Sequence, residues 1–558
     1  MPAYAAPWEL ENRYPLRHPR LREAARLGDS GQLDPAARLL REHLKEYPGE
    51  PHALHLLGEI AKRQGRFDQM LALWAQCVEA APDFAPARFD YAVVLLEAHR
   101  ADTTLAHAEE LLKREPHNAD YRALKALALE ALDDYSGAAE LWRCLVVEDP
   151  ENTASWTRYA FVLRGLGRLD ECISAFRKVI AQDPASGGAW WNLADIKSFC
   201  FCQADIAEME KLISDANVPA SERICLHFAL GKAYGDLKKY ETSFGHYARG
   251  NALQRLSLPH DPDVLTSYVA RAKRFFSPDF FRRHSGWGCA SREPIFIVGM
   301  LRSGSTLVEQ ILASHSQIEA TRELTEIAAI SQHLQKFARE NGSEYPAVLD
   351  RVGADAFRSF GERYLQIARI HRRLGRPCFI DKMGANFAHV ALIQLLLPNA
   401  RIVDVRRHPL ACGFSAFSQY FSKGQNNTYR LNDIGRHYHD YVALMAHFDR
   451  VLPGRVHRIF YEDLVAQPET EVRRLLDYLE LPFEESCLQF HRTERAIATV
   501  SAEQVRQPIY RKALEHWRNY EPWLGPLKAA LGPVFEFYPA VPEFGEAAEC
   551  SSGGGGAG

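Results

Sequence analysis

Apolar residues in the first 200 positions recur at helical spacing, and the pattern itself repeats along the chain. Trp156, Tyr159 and Leu163 fall on one helix face, as do Trp190 and Leu193 in the next segment. Prolines recur every 34 residues, and a small side chain follows each of them ten positions later. The prolines are Pro48, Pro82, Pro116, Pro150 and Pro184, and the small residues are Gly58, Ala92, Ala126, Ala160 and Ala194. Because proline interrupts a helix and small residues let helices approach closely, the pattern predicts stacked helical hairpins.

This period and these small-residue positions resemble the tetratricopeptide repeat over roughly residues 17–200. A trailing hairpin, Phe228–Tyr234 with Tyr240–Leu253, is out of phase, as an end unit that caps a solenoid should be. We predict an all-α repeat array over residues 17–256, after an N-terminal segment at 1–16. The resemblance implies a concave surface for a peptide or protein partner, and the alternative is a scaffold that packs on the second domain or on another copy.

The pattern changes after residues 257–291, which lack the period and are predicted to be a linker region. Pro294–Gly299 is an apolar run suited to a buried strand, and Leu307–Ser314 has helical spacing. Between them lies a glycine-containing turn, Met300–Thr306. Such a turn aims backbone N–H groups and the positive end of a helix dipole at one point, which is how proteins hold a phosphate. We therefore expect an anion at this turn.

The turn has the glycine spacing of a Walker A loop, but Ser305 occupies the position of its lysine. Because that lysine reaches the β- and γ-phosphates, its absence argues against a nucleotide kinase or hydrolase. With Arg302 inside it and Thr306 near its end, the turn resembles the 5′-phosphosulfate loop of PAPS-dependent sulfotransferases, although Leu301 replaces the usual proline. A purely structural turn is the alternative. The resemblance implies that the phosphosulfate is bound by Arg302, Ser303, Gly304, Ser305 and Thr306.

A second strand is predicted at Ala400–Val405, and the residues after it resemble the family's site for the 3′-phosphate of PAPS. That site has an arginine at the strand end and a serine eight residues later. Counting back from Ser415 selects Arg407, and leaves Arg406 as a neighbour that is solvated or paired with an acid. A forked guanidinium with hydroxyl donors suits a dianionic phosphate. A surface salt bridge is the alternative for Arg407.

Further nucleotide contacts implied by the resemblance lie closer to the C-terminus. Tyr461, in Arg458–Leu464, stands at a predicted strand end and matches a recurrent family position. The segment Gln504–Lys512, ahead of Trp517–Tyr520, is similar to the family's third nucleotide-contacting segment, although its glycine is missing. The candidate phosphate contacts in that segment are Ser501, Arg506, Arg511 and Lys512.

Sulfonate transfer requires an aligned acceptor, a base for its proton, and positive charge at the leaving phosphate. Lys382 follows an apolar strand and matches the lysine that sulfotransferases place near the bridging oxygen, which implies transition-state stabilisation and leaving-group protonation. Glu323 lies 21 residues after Arg302 and corresponds to the general base of protein-tyrosine sulfotransferases, although Arg322 replaces their usual glycine. A helix acid without a catalytic role is the alternative for Glu323. The other candidate bases are His315, His389 and His408.

Charge and composition indicate which partners, locations and metal sites to expect. With 67 basic and 71 acidic side chains the chain is no general polyanion binder, so we predict no nucleic-acid partner. No apolar run approaches the roughly 20 residues of a membrane helix, and the N-terminus lacks the order of a secretory signal, so we predict a cytoplasmic protein without a membrane span. The 11 cysteines match neither a disulfide framework nor a zinc pattern, and the reaction needs no metal. Residues 541–558 are glycine-rich and predicted to be a disordered tail.

These observations predict a multidomain protein, with an N-terminal all-α TPR solenoid and a C-terminal α/β, P-loop-like sulfotransferase domain at residues 292–540 built on a central parallel sheet. The resemblance implies PAPS as the sulfonate donor and adenosine 3′,5′-bisphosphate as the product. The preferred acceptor is a tyrosine of a peptide or protein, and a carbohydrate or small molecule is the alternative. A non-catalytic adaptor with a nucleotide-binding domain is a further alternative, disfavoured because Lys382 and Arg407 are both present.

Overall fold

The chain divides into two compact units, Met1–Asp183 and Pro184–Gly558. The computed structural model describes residues 16–421, 424–493, 495, 503–509 and 512–544. The division falls inside the predicted repeat array of residues 17–256. Its physical reason is that helices shortly before residue 257 contact the α/β part of the second unit, for example through Ser243 and Asn251.

The first unit consists of helices that pack one after another along the chain. Their bounds are α1 Pro19–Asp29, α2 Leu33–Glu46, α3 Pro51–Arg63, α4 Phe67–Ala80, α5 Ala85–Glu97, α6 Ala101–Arg114, α7 Ala119–Ala131, α8 Tyr135–Glu148, α9 Thr153–Leu166 and α10 Leu169–Gln182. The first helices of successive pairs begin 34 residues apart, at Pro51, Ala85, Ala119 and Thr153. Each repeat proline lies two residues before the N-cap of such a helix. One period therefore corresponds to one helix pair, as predicted.

The small residues of the repeat lie where helices cross most closely. Ala92, Ala126 and Ala160 are fully buried. Gly58 faces Trp74, and a side-chain carbon at this glycine would overlap the indole ring. The large side chains of the second helices fill the space between layers, and the buried members of this group are Trp74, Trp142 and Phe176. Alternation of small and large residues thus sets the spacing of the helices in this unit.

The second unit begins with helices that precede the sheet. Their bounds are α11 Gly187–Ala194, α12 Gln203–Ser214, α13 Ala220–Asp236, α14 Tyr240–Ser257, α15 Asp263–Phe275 and α16 Pro278–Arg283. Helices α13 and α14 pack against each other as the predicted out-of-phase hairpin. The segment 257–291, predicted to be a linker, contains α15 and α16, and α15 packs on a helix of the α/β part.

A five-stranded parallel sheet forms the centre of the second unit, which confirms the predicted α/β architecture. Its strands are β1 Pro294–Gly299, β2 Ile318–Ala320, β3 Cys378–Asp381, β4 Arg401–Arg406 and β5 Val456–Phe460. The order across the sheet is β2-β3-β1-β4-β5. The chain moves to one side of β1 first and then to the other, so the order reverses between β1 and β4. In sheets of this kind, ligands bind at such a reversal, outside the carboxyl ends of the strands.

Helices cover both faces of this sheet. Their bounds are α17 Ser305–Ala313, α18 Glu326–Glu340, α19 Ala354–Ile370, α20 Val390–Leu396, α21 Pro409–Phe417, α22 Leu431–Val451, α23 Tyr461–Ala466, α24 Pro468–Leu479, α25 Lys512–Glu515, α26 Gly525–Leu531 and α27 Pro533–Phe537. Short 3₁₀ helices lie at Ala347–Arg351, Gly384–His389, Asn426–Tyr429, Glu485–Cys487, Phe490–Arg492, Gln504–Arg506 and His516–Trp523.

One core forms where Ile297 and Val405 of the central strands pack with α17 and α24, through buried side chains such as Leu312 and Leu476. Burial of this aliphatic layer fixes the end of β1 relative to the start of α17. Throughout the part of the chain that the structure describes, no helix is both long and apolar enough to cross a membrane.

We predict that Gly58→Ala destabilises the first unit by about 1–2 kcal/mol, because overpacking at Trp74 outweighs the helix-forming advantage of alanine. Urea unfolding followed by tryptophan fluorescence measures the change in the free energy of unfolding. Gly49→Ala is the control, since its added methyl group meets only an ordinary contact at 4.0 Å. Equal stabilities of the two variants would show that the small residue at position 58 does not limit helix approach.

Candidate active site

The turn between β1 and α17 has the geometry of an anion-binding loop. Arg302 and Gly304 both have left-handed backbone conformations, with φ of 66° and 99°, and α17 begins directly after Gly304. Successive N–H groups of such a turn point toward the same space in front of the helix N-terminus. The side chain of Ser303 is fully buried, and its hydroxyl has no hydrogen-bond partner among the residues that the structure describes. The donors of this turn therefore suit a phosphate or sulfate group.

The loop after β4 contacts this turn directly. The Nε of Arg302 donates to the hydroxyl of Ser415 at 3.0 Å, and the guanidinium of Arg407 donates to the carbonyl oxygen of Arg302 at 3.1 Å. Gly299, at the end of β1, lies so close to the carbonyl oxygen of Val405 in β4 that a side chain there would overlap it. Both predicted phosphate motifs consequently lie at one edge of the sheet and face the same cavity.

The two neighbouring arginines after β4 have different surroundings. Arg406 is only 2% exposed and its guanidinium lies 3.1 Å from the carboxylate of Asp404, which also accepts a hydrogen bond from Arg458 at 2.9 Å. Burial alone would raise the pKa of Asp404, but the two guanidinium groups hold it below its ordinary value. Arg407 lies on the other side of the strand end and lines the cavity. Of the two possibilities left open for Arg406, pairing with an acid is therefore the one observed.

Tyr461 packs against both loops from the end of β5. The guanidinium carbon of Arg407 lies 4.8 Å above the centre of its ring, a distance suited to a cation–π contact. The edge of the same ring lies against Gly304, and a side-chain carbon at that position would overlap it. Glycine is thus required at position 304 both for its positive φ and for the approach of Tyr461.

Lys382 and Glu323 form an ion pair at the carboxyl end of β3. Lys382 is 5% exposed, whereas the side chain of Glu323 is 55% exposed. Burial by itself would lower the pKa of Lys382, but the carboxylates of Glu309 and Glu323 raise it above the ordinary value. Lys382 is therefore a buried cation whose charge depends on two acids. Glu309 projects from α17 and also pairs with Arg495 at 3.1 Å.

Glu323 is held beside Lys382 by hydrogen bonds on either side of it. The backbone and side chain of Thr321 both donate to the carbonyl oxygen of Ile380, at 3.2 and 2.6 Å. The N–H of Leu324 donates to the carboxylate of Asp381 at 3.4 Å, and Asp381 also accepts from the hydroxyl of Tyr364 at 2.9 Å. Despite these donors, burial raises the pKa of Asp381 to about 8.

These groups surround a cavity of about 630 Å³. The predicted residues that line it are Arg302, Gly304, Ser305, Thr306, Glu323, Lys382, Arg407, Ser415 and Tyr461. Among the described lining residues, five carry a positive charge and two carry a carboxylate. The cavity therefore suits an anion with several charges.

Comparison with known proteins agrees with this arrangement. Residues 294–485 match the model of the sulfotransferase family. Residues 294–485 form a sulfotransferase-family domain. Residues 153–186 match the tetratricopeptide repeat, which confirms the repeat type expected for the helical array.

Similar proteins include an uncharacterized protein of Aquifex aeolicus (strain VF5), 28% identical over 91% of this chain and 68% of its own length. A putative protein-tyrosine sulfotransferase of Caenorhabditis briggsae is 25% identical over 40% of this chain and 80% of its own length. The sulfotransferase domain of the Synechococcus PCC 7002 olefin synthase superposes with a TM-score of 0.31 and 22% identity, covering 41% of this chain and 88% of that structure.

The three histidines considered as alternative bases have other contacts in the second unit. His315 is buried with Nε2 2.9 Å from the carbonyl oxygen of Pro482. His389 lines a different cavity, and burial lowers its pKa to about 4. His408 stacks on Trp517 with ring centres 4.9 Å apart. None of the three is among the described residues that line the sulfotransferase-domain cavity, whereas Glu323 is.

Of the four C-terminal candidates, Arg506 is the one whose side chain the structure describes. Arg506 is not among the described lining residues, and its guanidinium donates to the carbonyl oxygen of Arg495 at 3.0 Å. Ser501 and Arg511 lie outside the described residues, as does the side chain of Lys512. Within the same segment, the described cavity lining consists of Gln504, Val505, Gln507, Pro508 and Ile509.

Several residues of the site were missed in the sequence. Glu309 was hidden inside a largely buried helix, where an acid at a core-facing position is the signal that it has a partner. Lys197 and Lys232 line the same cavity from the helical segment before the sheet, and no motif in the sequence links these lysines to it. His516 also lines the cavity, and burial lowers its pKa.

We predict that Asp381 makes the second unit less stable as pH rises toward 8. Its pKa is about 8 in the folded state, whereas an unfolded aspartate titrates near 4, so its stabilising contribution is fully present below about pH 4 and is lost as pH rises through about 8. The largest slope from this one group is about 1.4 kcal/mol per pH unit. Urea unfolding at pH 6, 7 and 8 measures it, and Asp381→Asn should flatten the dependence.

Asp477→Asn is the control, because it removes an exposed carboxylate on α24. Its free energy of unfolding should depend on pH as that of the wild type does. If wild type and Asp381→Asn lose stability with equal slopes between pH 6 and 8, Asp381 is ionised in the folded protein and the assignment fails.

Proposed function

We propose that the second unit is a PAPS-dependent sulfotransferase that transfers sulfonate to an acceptor hydroxyl and releases adenosine 3′,5′-bisphosphate. One observation carries the proposal: the turn at Arg302 and the loop with Arg407 and Ser415 contact each other across adjacent parallel strands. They line one cavity that also holds Lys382 and Glu323. Two anion sites beside an acid–base pair are what the transfer from a doubly phosphorylated nucleotide requires.

The donor would be held at both of its phosphate ends. The N–H groups of the turn, the hydroxyls of Ser305 and Thr306, and the guanidinium of Arg302 suit the 5′-phosphosulfate. Arg407 and Ser415 suit the 3′-phosphate, since a guanidinium and a hydroxyl both donate to a phosphate oxygen. The buried hydroxyl of Ser303 and the excess of cations in the lining support the fit.

In the proposed reaction, the acceptor oxygen forms a bond to sulfur while the bond from sulfur to the bridging oxygen of the 5′-phosphate breaks. Glu323 takes the proton of the acceptor hydroxyl, and Lys382 donates a hydrogen bond, and then a proton, to the departing oxygen. The ion pair between them keeps Lys382 charged before the donor arrives. Because Glu323 is half-exposed, the proton it takes can pass to solvent.

The preferred acceptor is a tyrosine of a peptide or protein. The relative from Caenorhabditis briggsae is named a putative protein-tyrosine sulfotransferase. The sequence resemblance implies that Glu323 takes the place of the base in that enzyme type. Apolar side chains of Leu307, Phe490 and Ile509 line the same cavity, and such a wall suits a phenol ring better than a sugar. A carbohydrate or small-molecule acceptor is the second candidate, and an acceptor screen separates the two.

The helical repeats of the first unit are proposed to bind a peptide or protein, since tetratricopeptide repeats present extended concave surfaces. Such a surface would bring a polypeptide acceptor to the enzyme. A non-catalytic adaptor is disfavoured by the ion pair of Lys382 and Glu323 in the cavity, because a domain that only senses nucleotide needs neither. The cytoplasmic location stays a prediction from the sequence.

We predict that Lys382→Ala lowers kcat by roughly 100-fold, the scale of a lost transition-state donor, and that Glu323→Gln also lowers kcat because the acceptor proton has no base. The assay supplies radiolabelled PAPS with tyrosine peptides, simple phenols and glycans. Lys336→Ala, which removes an exposed lysine on α18, is the control and should retain full activity. Full turnover by both site variants would exclude the assigned chemistry.

Arg407→Ala should instead weaken nucleotide binding. Loss of charge-assisted hydrogen bonds costs roughly 1.5–3 kcal/mol, so we expect the Kd for adenosine 3′,5′-bisphosphate to rise by one to two orders of magnitude. Isothermal titration calorimetry measures this without turnover. The matched control is Arg282→Ala, which removes a guanidinium that is 73% exposed on α16. An unchanged Kd for Arg407→Ala would remove this residue from the donor site.

A further inference from the structure

The cavity has a wall that comes from outside the region matched by the sulfotransferase family. Residues 294–485 carry the match, but Lys197 and Lys232 also line the cavity and belong to the helical segment that precedes the sheet in the same unit. Lys232 lies on α13, and Lys197 lies in the connection between α11 and α12. These lysines add two positive charges to a cavity that already holds Arg302 and Arg407.

Lys197 is directed toward the predicted 3′-phosphate site. Its ammonium lies 3.1 Å from the carboxylate of Asp195, and the same carboxylate accepts a hydrogen bond from the side chain of Gln419 at 3.1 Å. Gln419 lies four residues after Ser415, just beyond the end of α21, and both line the cavity. Asp195 therefore holds the ammonium on the side of the cavity where Ser415 and Arg407 lie.

The connection that carries Lys197 is held by hydrogen bonds to its backbone at residues 197–199. The backbone N–H groups of Lys197 and Ser198 donate to the carboxylate of Glu503 at 2.7 and 2.9 Å. Lys232 donates to the carbonyl oxygen of Phe199 and forms an ion pair with Asp236 at 2.6 Å. Because these bonds hold the backbone, Lys197 is positioned before any ligand arrives, which lowers the entropy cost of binding.

Lys197 lies among groups that shift its pKa in opposite directions. Burial lowers its pKa, the carboxylate of Asp195 raises it, and the cation of Arg302 lowers it again, with a net downward shift. An ammonium held near another cation in a partly buried site is unfavourable unless an anion lies between them. The alternative role of Lys197 is to neutralise the carboxylate of Asp195. That role does not explain why Lys197 lies close enough to Arg302 for the guanidinium to lower its pKa.

We propose that Lys197 binds the 3′-phosphate of the nucleotide together with Arg407 and Ser415, so that the helices before the sheet complete the donor site. The proposal rests on the proposed function, since it assumes a nucleotide with phosphates at the 3′ and 5′ positions. An ammonium, a guanidinium and a hydroxyl then surround one dianionic group. The donor site consequently extends beyond the sequence region that defines the family.

The test compares two nucleotides on the full-length chain by calorimetry. Lys197→Met should raise the Kd for adenosine 3′,5′-bisphosphate by about tenfold or more, the scale of a lost charge-assisted bond, and should change the Kd for AMP much less, because AMP has no 3′-phosphate. Lys197→Arg should restore much of the bisphosphate affinity because it restores the charge.

Lys211→Met is the matched control, since Lys211 lies on α12 with a side chain that is 76% exposed. Circular dichroism checks the fold, and Lys197→Gln replaces the methionine variant if the latter unfolds. An unchanged Kd for the bisphosphate, or an equal loss for AMP and the bisphosphate, would overturn the assignment of Lys197. Failure of the wild type to bind the bisphosphate would instead overturn the proposed function.

Discussion

The parallel pairing of β1 with β4 is the constraint on which the site depends. Gly299 lies directly against the carbonyl oxygen of Val405, and this close approach brings the loops that follow the two strands into hydrogen-bonding contact. Arg302 and Arg407 belong to different motifs more than 100 residues apart, but adjacent strand ends place them in one cavity. Because parallel strands all present their carboxyl ends at one edge, Lys382 after β3 and Tyr461 after β5 reach the same space.

The features that the sequence predicted well are those encoded by local pattern. A proline every 34 residues marks each helix pair because proline cannot continue a helix, and the same residues therefore define the period and the boundaries. Pro294–Gly299 is observed as the strand that its apolar run predicts, since a strand buried on both faces needs no alternation. The choice of Arg407 over Arg406 came from the family's spacing to Ser415, and in the structure Arg406 pairs with Asp404 whereas Arg407 lines the cavity.

Long-range contacts account for what the sequence did not reveal. Lys197 reaches the cavity from a connection whose backbone N–H donates to Glu503, and the separation of 306 residues between them leaves no periodic signal. The same contacts explain why the division between the units falls inside the predicted array. Helix α14 packs part of its surface against the α/β fold, through Ser243 and Asn251. A repeat period does not indicate such a contact. Glu309 was missed because its partner Arg495 is likewise distant in sequence.

Helix α17 links donor binding to the charge of the proposed acid. In the proposed reaction its N-terminus would supply N–H groups to the phosphosulfate, and its buried residue Glu309 raises the pKa of Lys382 together with Glu323. The charge of Lys382 therefore has two supports. In the proposed reaction Glu309 still stabilises the Lys382 cation after Glu323 has accepted a proton, until Lys382 passes its own proton to the departing oxygen. The exposure of the two carboxylates fits these roles. Glu323, which exchanges protons in the proposed reaction, is open to water, whereas Glu309, which stabilises the charge of Lys382, is buried.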